Sequence, residues 1–275
     1  VLEMNPRILS NWIILIIRLV IFRKTLLWGH AWPRSGPRSK SDKIRHMMRK
    51  LGNEIIVYTQ TQAQELQLKM PDKKITAAPN ALYFSKEMDT SRESDQISHI
   101  IYVGRLSKKK KALFLIKSFH KILEHIPKEV NLIIVGKGEE KLAIENYITE
   151  HQIDKRVLMK GHVSEIEKLK RLYSESLVSV SPGYVGLSII QSFSFGVPMI
   201  ISKNENHSPE IEASKDKANS LYFETDNENS LGEVLKSVLN QKSKWISKRE
   251  QIYLFCKNTY STEAMAKTFL NILSR

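Results

Sequence analysis

The chain has 275 residues, 41% hydrophobic and 26% charged, so it can bury one large core or two modest ones and is not a disordered protein. Its single cysteine, Cys256, excludes an internal disulfide framework and a cysteine-based zinc site, suits a reducing compartment and reads as a structural thiol. Forty-three Lys and Arg against 29 Asp and Glu give a formal charge of +14, which draws in an anionic partner without choosing among nucleic acid, anionic lipid and phosphorylated substrate.

The start, VLEMNPRILSN, lacks a basic leader and a small-residue cleavage site, so no secretory signal is expected. A beginning at Val rather than Met is what a fragment would show. Residues 8–22 are the most apolar run, but Ser10, Asn11 and Arg18 interrupt it, and its uncharged part falls short of the ~20 residues a bilayer span needs. The expectation is a buried or interfacial helix.

A short strand is expected within residues 24–30, then a Pro/Gly/Ser/Arg-rich loop over 32–41. Residues 42–51 predict a basic helix with Ile44, Met47, Met48 and Leu51 at helical spacing among Lys43, Arg45, Arg49 and Lys50. Its cations read either as a solvated face or as a patch that rests on anionic lipid headgroups. A strand at 54–58, a helix at 61–68 and a strand at 74–77 follow, and the polar segment 85–99 is the linker candidate between domains at 1–90 and 91–275.

Beyond the linker the rhythm is regular. Strands are predicted at 100–103, 132–135, 157–159, 177–180, 199–202 and 221–223, and helices at 112–125, 140–150, from Ser164 with Glu167 at capping-box spacing, and 187–195. Three helical stretches close the chain at 230–239, 243–256 and 261–274. Strands alternating with helices imply parallel βαβ units and a doubly wound sheet that binds ligands at the strands' carboxyl ends.

Three strand ends carry candidate chemistry. Gly104, Arg105 and Leu106 end one strand, with Lys108 to Lys111 close behind. An Arg and a Lys converging there neutralise a diphosphate, whereas the bland alternative is a solvated basic loop. Gly136 and Gly138 end the next strand, but position 141 is Lys, so the third glycine of a dinucleotide fingerprint is missing and a dehydrogenase is not expected. The third is SPGYVGLSIIQSFSFGVP at 181–198. Gly183 and Gly186 open a tight turn into a helix whose first N–H groups suit a phosphate, although two glycines also occur in such turns for backbone reasons alone. His30, His162 and His207 are not at metal-ligand spacing, so surface or supporting roles are expected of them and no metal site is predicted. No G-x-S-x-G surrounds any serine, which removes the nucleophile elbow of a serine hydrolase. No recognition motif supports a nucleic-acid protein.

The ordered set VGRLxxxK at 103–110, VGxG at 135–138, KGHV at 160–163 and PGYVGLSIIQSFSFGVPMI at 182–200, followed by Ser208-Pro209-Glu210, resembles the donor-binding domain of glycosyltransferase family 4, of the GT-B fold. Upstream, LLWGHAWPRSGPRSK and ITAAPNALY resemble the closing part of that fold's acceptor domain. The PG-x-VGL turn is similar to that of enzymes that build bacterial surface polysaccharides such as lipopolysaccharide and capsule. The resemblance implies an α/β protein with a complete C-terminal Rossmann-like sheet and a partial N-terminal one.

It also implies a retaining, metal-independent transfer from a nucleotide diphosphosugar, a co-substrate rather than a cofactor, to a glycan or lipid-linked glycan. Arg105 and Lys110 would stabilise the diphosphate, and His30 would approach the transferred sugar. Gly104, Gly136, Gly138, Gly183, Tyr184, Val185, Gly186, Leu187, Ser188 and Gln191 would line the donor, and Asn80 would stand at the hinge. The expected place is the cytoplasm, with peripheral contact at the inner face of the cytoplasmic membrane through the basic N-terminal region.

Two departures stand out. The family's pair of glutamates, eight apart, falls on Gly183 and Gln191 here; Gln191 retains hydrogen-bonding capacity for a ribose hydroxyl, and Gly183 has no carboxylate to offer. An acceptor domain of this fold should hold about 150 residues, and only about ninety precede the linker. Its opening strands and glycine loop are expected to be missing, and the alternative implied is a non-catalytic, nucleotide-sugar-binding remnant.

Overall fold

The computed structural model describes residues 1–33, 36–90 and 97–274. It forms two compact units: residues 1–80 together with the chain from Met265 onward, and Ala81–Ala264.

The first unit runs β1 (Leu2–Glu3), α1 (Leu9–Val20), β2 (Leu26–Trp28), α2 (Asp42–Leu51), β3 (Glu54–Val57), α3 (Gln60–Lys69) and β4 (Lys74–Ala77), and its four strands pair in parallel in that order. Alternation along the strands feeds both faces. Leu27, Ile55 and Val57 join Met4, Leu15, Met48 and Leu66 on one side, while Leu26 and Ile56 join Ile272 and Phe269 of the C-terminal helix on the other. The two-residue β1 lay below what sequence periodicity registers.

One expectation for this unit is narrowed and another is corrected. Helix α1 buries only Asn11 and Leu15, whereas Ile13, Ile16, Ile17 and Val20 are 51%, 53%, 53% and 68% exposed and Phe22 beyond it is 96% exposed. Of the buried and interfacial helices expected, the buried one is excluded, and among the described residues no helix is long and apolar enough to cross a membrane, as its interrupted apolar run implied. On α2, two of the four cations turn inward. Arg49 is fully buried against Asp42, whose other oxygen accepts from Lys69 at 2.7 Å, and both cations lie 5.1 Å from the Trp32 ring centroid. Arg45 donates to the carbonyls of Met4 at 2.6 Å and His30 at 3.1 Å. Of the four, Lys43 and Lys50 stand exposed; Arg45 and Arg49 are drawn in by carbonyls and a carboxylate that the sequence does not show to be near, each satisfying only part of its guanidinium.

The second unit runs β5 (His99–Val103), α4 (Ala112–Lys121), β6 (Leu132–Val135), α5 (Lys141–Glu150), β7 (Val157–Gly161), α6 (Ile166–Ser174), β8 (Ser176–Ser181), α7 (Ser188–Ser194), β9 (Met199–Ser202), β10 (Ser220–Phe223), α8 (Glu228–Asn240), α9 (Lys242–Ser247), α10 (Arg249–Tyr260) and the start of α11 (Thr262–Leu273). Its sheet is parallel throughout, in the order β7-β6-β5-β8-β9-β10. The strands are apolar because helices cover both faces: Ile100, Leu132 and Val180 face one core and Ile101, Ile133 and Ile201 the other.

Several boundaries differ from expectation. The helix expected over 112–125 ends at Lys121 and tightens into a 3₁₀ turn at Leu123–His125, and the one expected over 243–256 is two helices meeting at Lys248. Ser164 does not cap α6, which begins at Ile166 after Glu165. Thr59 and Asn227 do cap α3 and α8 through their side chains. Of the linker candidate, 91–96 lie outside the described residues, and its first part is fastened rather than free, since Ser85 donates twice to Glu263 at 2.9 Å.

Helix α10 is tied beneath the sheet by buried Arg249, which donates to the carbonyls of Ser176, Tyr173 and Phe195 at 2.7, 3.2 and 3.3 Å. Beside it Cys256 is buried and its thiol is pushed up to about 12 by desolvation, as a structural cysteine should be. Gly196, at φ +69°, ends α7, and a Cβ there would lie 2.7 Å from the Arg249 carbonyl oxygen. Gly196→Ala should therefore destabilise the protein by about 1–3 kcal/mol, read as a lowered denaturant midpoint; an unchanged midpoint would show that α10 yields freely.

Candidate functional site

The strand order places β5 and β8 side by side at the point where connections depart in opposite directions, so the segments leaving their carboxyl ends border one crevice. After β5, residues 104–107 lead into a 3₁₀ turn at Lys108–Lys110. After β8 comes the glycine turn that opens α7. The two touch: Tyr184 N–H donates to the Lys109 carbonyl at 3.2 Å, and the Lys110 ammonium donates to the Tyr184 carbonyl at 2.6 Å while lying 4.5 Å from the Tyr184 ring centroid.

This approach explains Gly183. A Cβ on it would stand 2.2 Å from the Lys109 carbonyl oxygen, so no side chain fits while the 3₁₀ turn holds its place. Gly136 and Gly138 have the same kind of reason. Their Cβ atoms would meet the Gly104 oxygen at 1.9 Å and the Leu106 oxygen at 2.1 Å. The β6 loop is pressed against the β5 loop, with Leu106 N–H donating to Lys137 and Glu140 N–H to Leu106. These two glycines thus shape the loop that carries Arg105, whose carbonyl also accepts from the Tyr102 hydroxyl at 2.8 Å. The Gly104 Cβ position lies 3.0 Å from that hydroxyl.

The electrostatics are those of two cations brought together at one corner. Arg105 is exposed at the rim. Burial, and then the charge of Arg105, bring the Lys110 ammonium down to about 8. A bound anion would reverse that shift. The turn supplies fewer amides than its sequence implied, because Tyr184 N–H is held by Lys109 and Val185 N–H by the ring of His207 at 3.1 Å. Among the described residues, the N–H groups of Gly186, Leu187 and Ser188 have no acceptor within the chain.

Other expected residues fall differently. Gln191 does not hold its amide free: its nitrogen donates to the Tyr83 hydroxyl at 2.7 Å and its oxygen accepts from Tyr173 at 3.5 Å. Burial raises both phenols above their usual range, so they stay protonated. Gln191 thus links two buried tyrosines, with a second N–H and a second oxygen lone pair beyond those two bonds. His30 belongs to the first unit, exposed at the end of β2, with its ring edge-on to Tyr58 at 4.7 Å. Sequence reasoning missed the clamp over the glycine turn. Ser208 N–H donates to Val185 at 2.9 Å, Tyr184 hydroxyl donates to Ser208 Oγ at 2.8 Å, and His207 grips Val185. The only signal for it was the Ser208-Pro209-Glu210 string. Among the described residues no group of three or more His, Cys, Asp or Glu could hold a metal ion.

Fold and site define a doubly wound α/β unit with a cationic crevice at its switch point. Residues 85–253 match the family described as Glycosyl transferases group 1, and the chain belongs to that family. It is 29% identical over 111 residues to an uncharacterized glycosyltransferase of Methanocaldococcus jannaschii, a match spanning 39% of this chain and 28% of that one. It is 30% identical over 105 residues to the GtfA subunit of the UDP-N-acetylglucosamine–peptide N-acetylglucosaminyltransferase of Streptococcus pneumoniae, spanning 37% of this chain and 20% of that one. Both matches thus cover less than a third of the relative. The crystal structure of Anabaena HepE in complex with UDP superposes with a TM-score of 0.76 at 15% identity, covering 98% of this chain and 77% of that one. The fold is GT-B.

Gly183→Ala should weaken binding of inorganic pyrophosphate at least about tenfold, the loss of one charge-assisted contact, with an unchanged circular dichroism spectrum. Undiminished binding would mean that the 3₁₀ turn can retreat without moving Lys110.

Proposed function

We propose that this chain is a retaining glycosyltransferase of family 4, moving a sugar from a nucleotide diphosphosugar to a hydroxyl of a glycan or lipid-linked glycan. The observation that carries the reading is the Lys110 ammonium, half-buried beside Arg105 and seated on the donor turn by the Tyr184 carbonyl. In the transfer, the anomeric carbon–oxygen bond to the diphosphate breaks as the bond to the acceptor oxygen forms on the same face, and the acceptor hydroxyl's proton passes to the departing diphosphate oxygen. Negative charge grows on the diphosphate. Lys110 and Arg105 meet that charge in place of a metal, and the amides of Gly186, Leu187 and Ser188 add donors fixed in position. His30 is assigned to the acceptor side. The HepE structure is in complex with UDP, which makes a uridine nucleotide the first to try.

Lys110→Ala should lower kcat/KM by orders of magnitude and Arg105→Ala by less, both with the fold intact. Unchanged turnover in Lys110→Ala would remove the assignment. The pH dependence has a definite sign. Lys110 is charged below its value of about 8 and loses its proton as pH rises through it, so kcat/KM should fall on the alkaline side. A second reading, a nucleotide-sugar binder without transfer, is favoured by the uncharged Gly183 and the occupied Gln191 amide. Binding of a nucleotide sugar without release of product to any glycan acceptor would select it.

We place the protein in the cytoplasm at the inner membrane face, in contact with anionic lipid. What supports this is the exposed apolar flank of α1, from Ile13 to Phe22, with Arg7, Arg23 and Lys24 exposed at its ends. Ile17→Glu should abolish co-sedimentation with vesicles containing phosphatidylglycerol. Wild-type protein that stays in the supernatant would contradict the placement.

A further inference from the structure

His207 stands outside every motif expected to carry chemistry, yet both of its ring nitrogens are in use. Nε2 bonds the Ser202 carbonyl at the end of β9 at 2.9 Å, and Nδ1 faces the Val185 N–H at 3.1 Å. A carbonyl only accepts and an N–H only donates, so the partners fix the tautomer: the proton is on Nε2 and the Nδ1 lone pair receives Val185. The ring is a strut from the end of β9 to the glycine turn.

What that strut holds is one particular peptide. The group joining Tyr184 to Val185 has its N–H on His207 and its carbonyl on the Lys110 ammonium at 2.6 Å. Rotation of that peptide would move both ends at once. We propose that His207 is the positioning residue of the donor turn, which fixes the Tyr184–Val185 peptide and through it the place at which Lys110 meets the donor diphosphate. This rests on the donor-site reading given above. Ser208 reinforces the same turn through Val185 and the Tyr184 hydroxyl, but neither bond restrains the peptide that carries Lys110.

The role requires a neutral ring. Protonated imidazole has a donor on each nitrogen, so Nδ1 would meet the Val185 N–H donor to donor and bring a second positive charge toward Lys110. The charged groups facing the ring are Glu205 from its own loop and Lys110 from the turn after β5. Glu205 in turn is bound to Lys111 at 2.5 Å. Burial dominates and, with the Ser202 carbonyl bond and Glu205 opposing and Lys110 assisting, lowers the ring below its ordinary 6.5. The folded value being depressed, His207 is neutral and functional at pH 7, and the strut is lost as pH falls through that lower value.

The test uses the full chain and calorimetric titration with UDP, GDP and dTDP, which selects the nucleoside diphosphate that binds. His207→Asn puts an amide oxygen two bonds from Cβ, near where Nδ1 stands, and that oxygen does not titrate. His207→Leu keeps bulk and loses the acceptor. The expected results are binding weakened about tenfold in His207→Leu, as for one lost hydrogen bond in a half-buried site. Near-wild-type binding is expected in His207→Asn, and the acid-side loss seen in the wild type should vanish there. If binding depends on Lys110 but both His207 variants keep wild-type affinity and the acid-side loss, His207 has no positioning role and the donor site stands without it. If His207→Leu does not fold, persistence of the acid-side loss in His207→Asn is by itself the overturning result. If no nucleoside diphosphate binds the wild type, or binding ignores Lys110→Ala, the donor-site reading and this inference fall together.

Discussion

The second unit depends on the pressing of one backbone against another. Lys109 and Lys110 lie so close to the start of the glycine turn that the Lys109 oxygen occupies the space a side chain at position 183 would need. That contact, with the Lys110 ammonium on the Tyr184 carbonyl, converts two separate strand ends into one rigid cationic corner. The same device recurs one strand over, where Gly136 and Gly138 let the β6 loop support the loop bearing Arg105. Three loops stacked by backbone contact are positioned more firmly than side chains alone could arrange, which suits a site whose contribution is orientation and charge.

The same contact sets what the site lacks. Position 183 carries no carboxylate, and the Lys109 oxygen, 2.2 Å from where a Cβ would stand, leaves no space for one while the turn holds its place. Gln191, at the partner position, is drawn into a chain with Tyr83 and Tyr173, two phenols that burial keeps protonated. The clamp of His207 and Ser208 supplies rigidity from the opposite side, and Lys111 extends it by bridging Glu205 and Asp226 at 2.5 Å each. The proposed recognition thus rests on backbone amides and two cations rather than on paired acids.

Much of this architecture was legible from the residues. The strands of the second unit stood out because strands covered on both faces are predominantly apolar, and Gly196-x-Pro198 announced the end of α7. What sequence did not show was set by partners far away along the chain. Gln191 meets Tyr83 across 108 positions and Lys110 meets Tyr184 across 74, separations at which no spacing rule operates. Arg49 looked like one more solvated cation of a basic helix until Asp42 and Trp32 closed around it. The break between α9 and α10 at Lys248 carries neither Pro nor Gly, and β1 is two residues long, so both lay beneath any periodic signal.

A crystal structure of the full chain grown with a nucleoside diphosphate would test the central claim most directly. The diphosphate should lie within hydrogen-bonding distance of the Lys110 ammonium and of at least one amide among Gly186, Leu187 and Ser188. A diphosphate bound elsewhere on the sheet, with Lys110 still alone on the Tyr184 carbonyl, would contradict it.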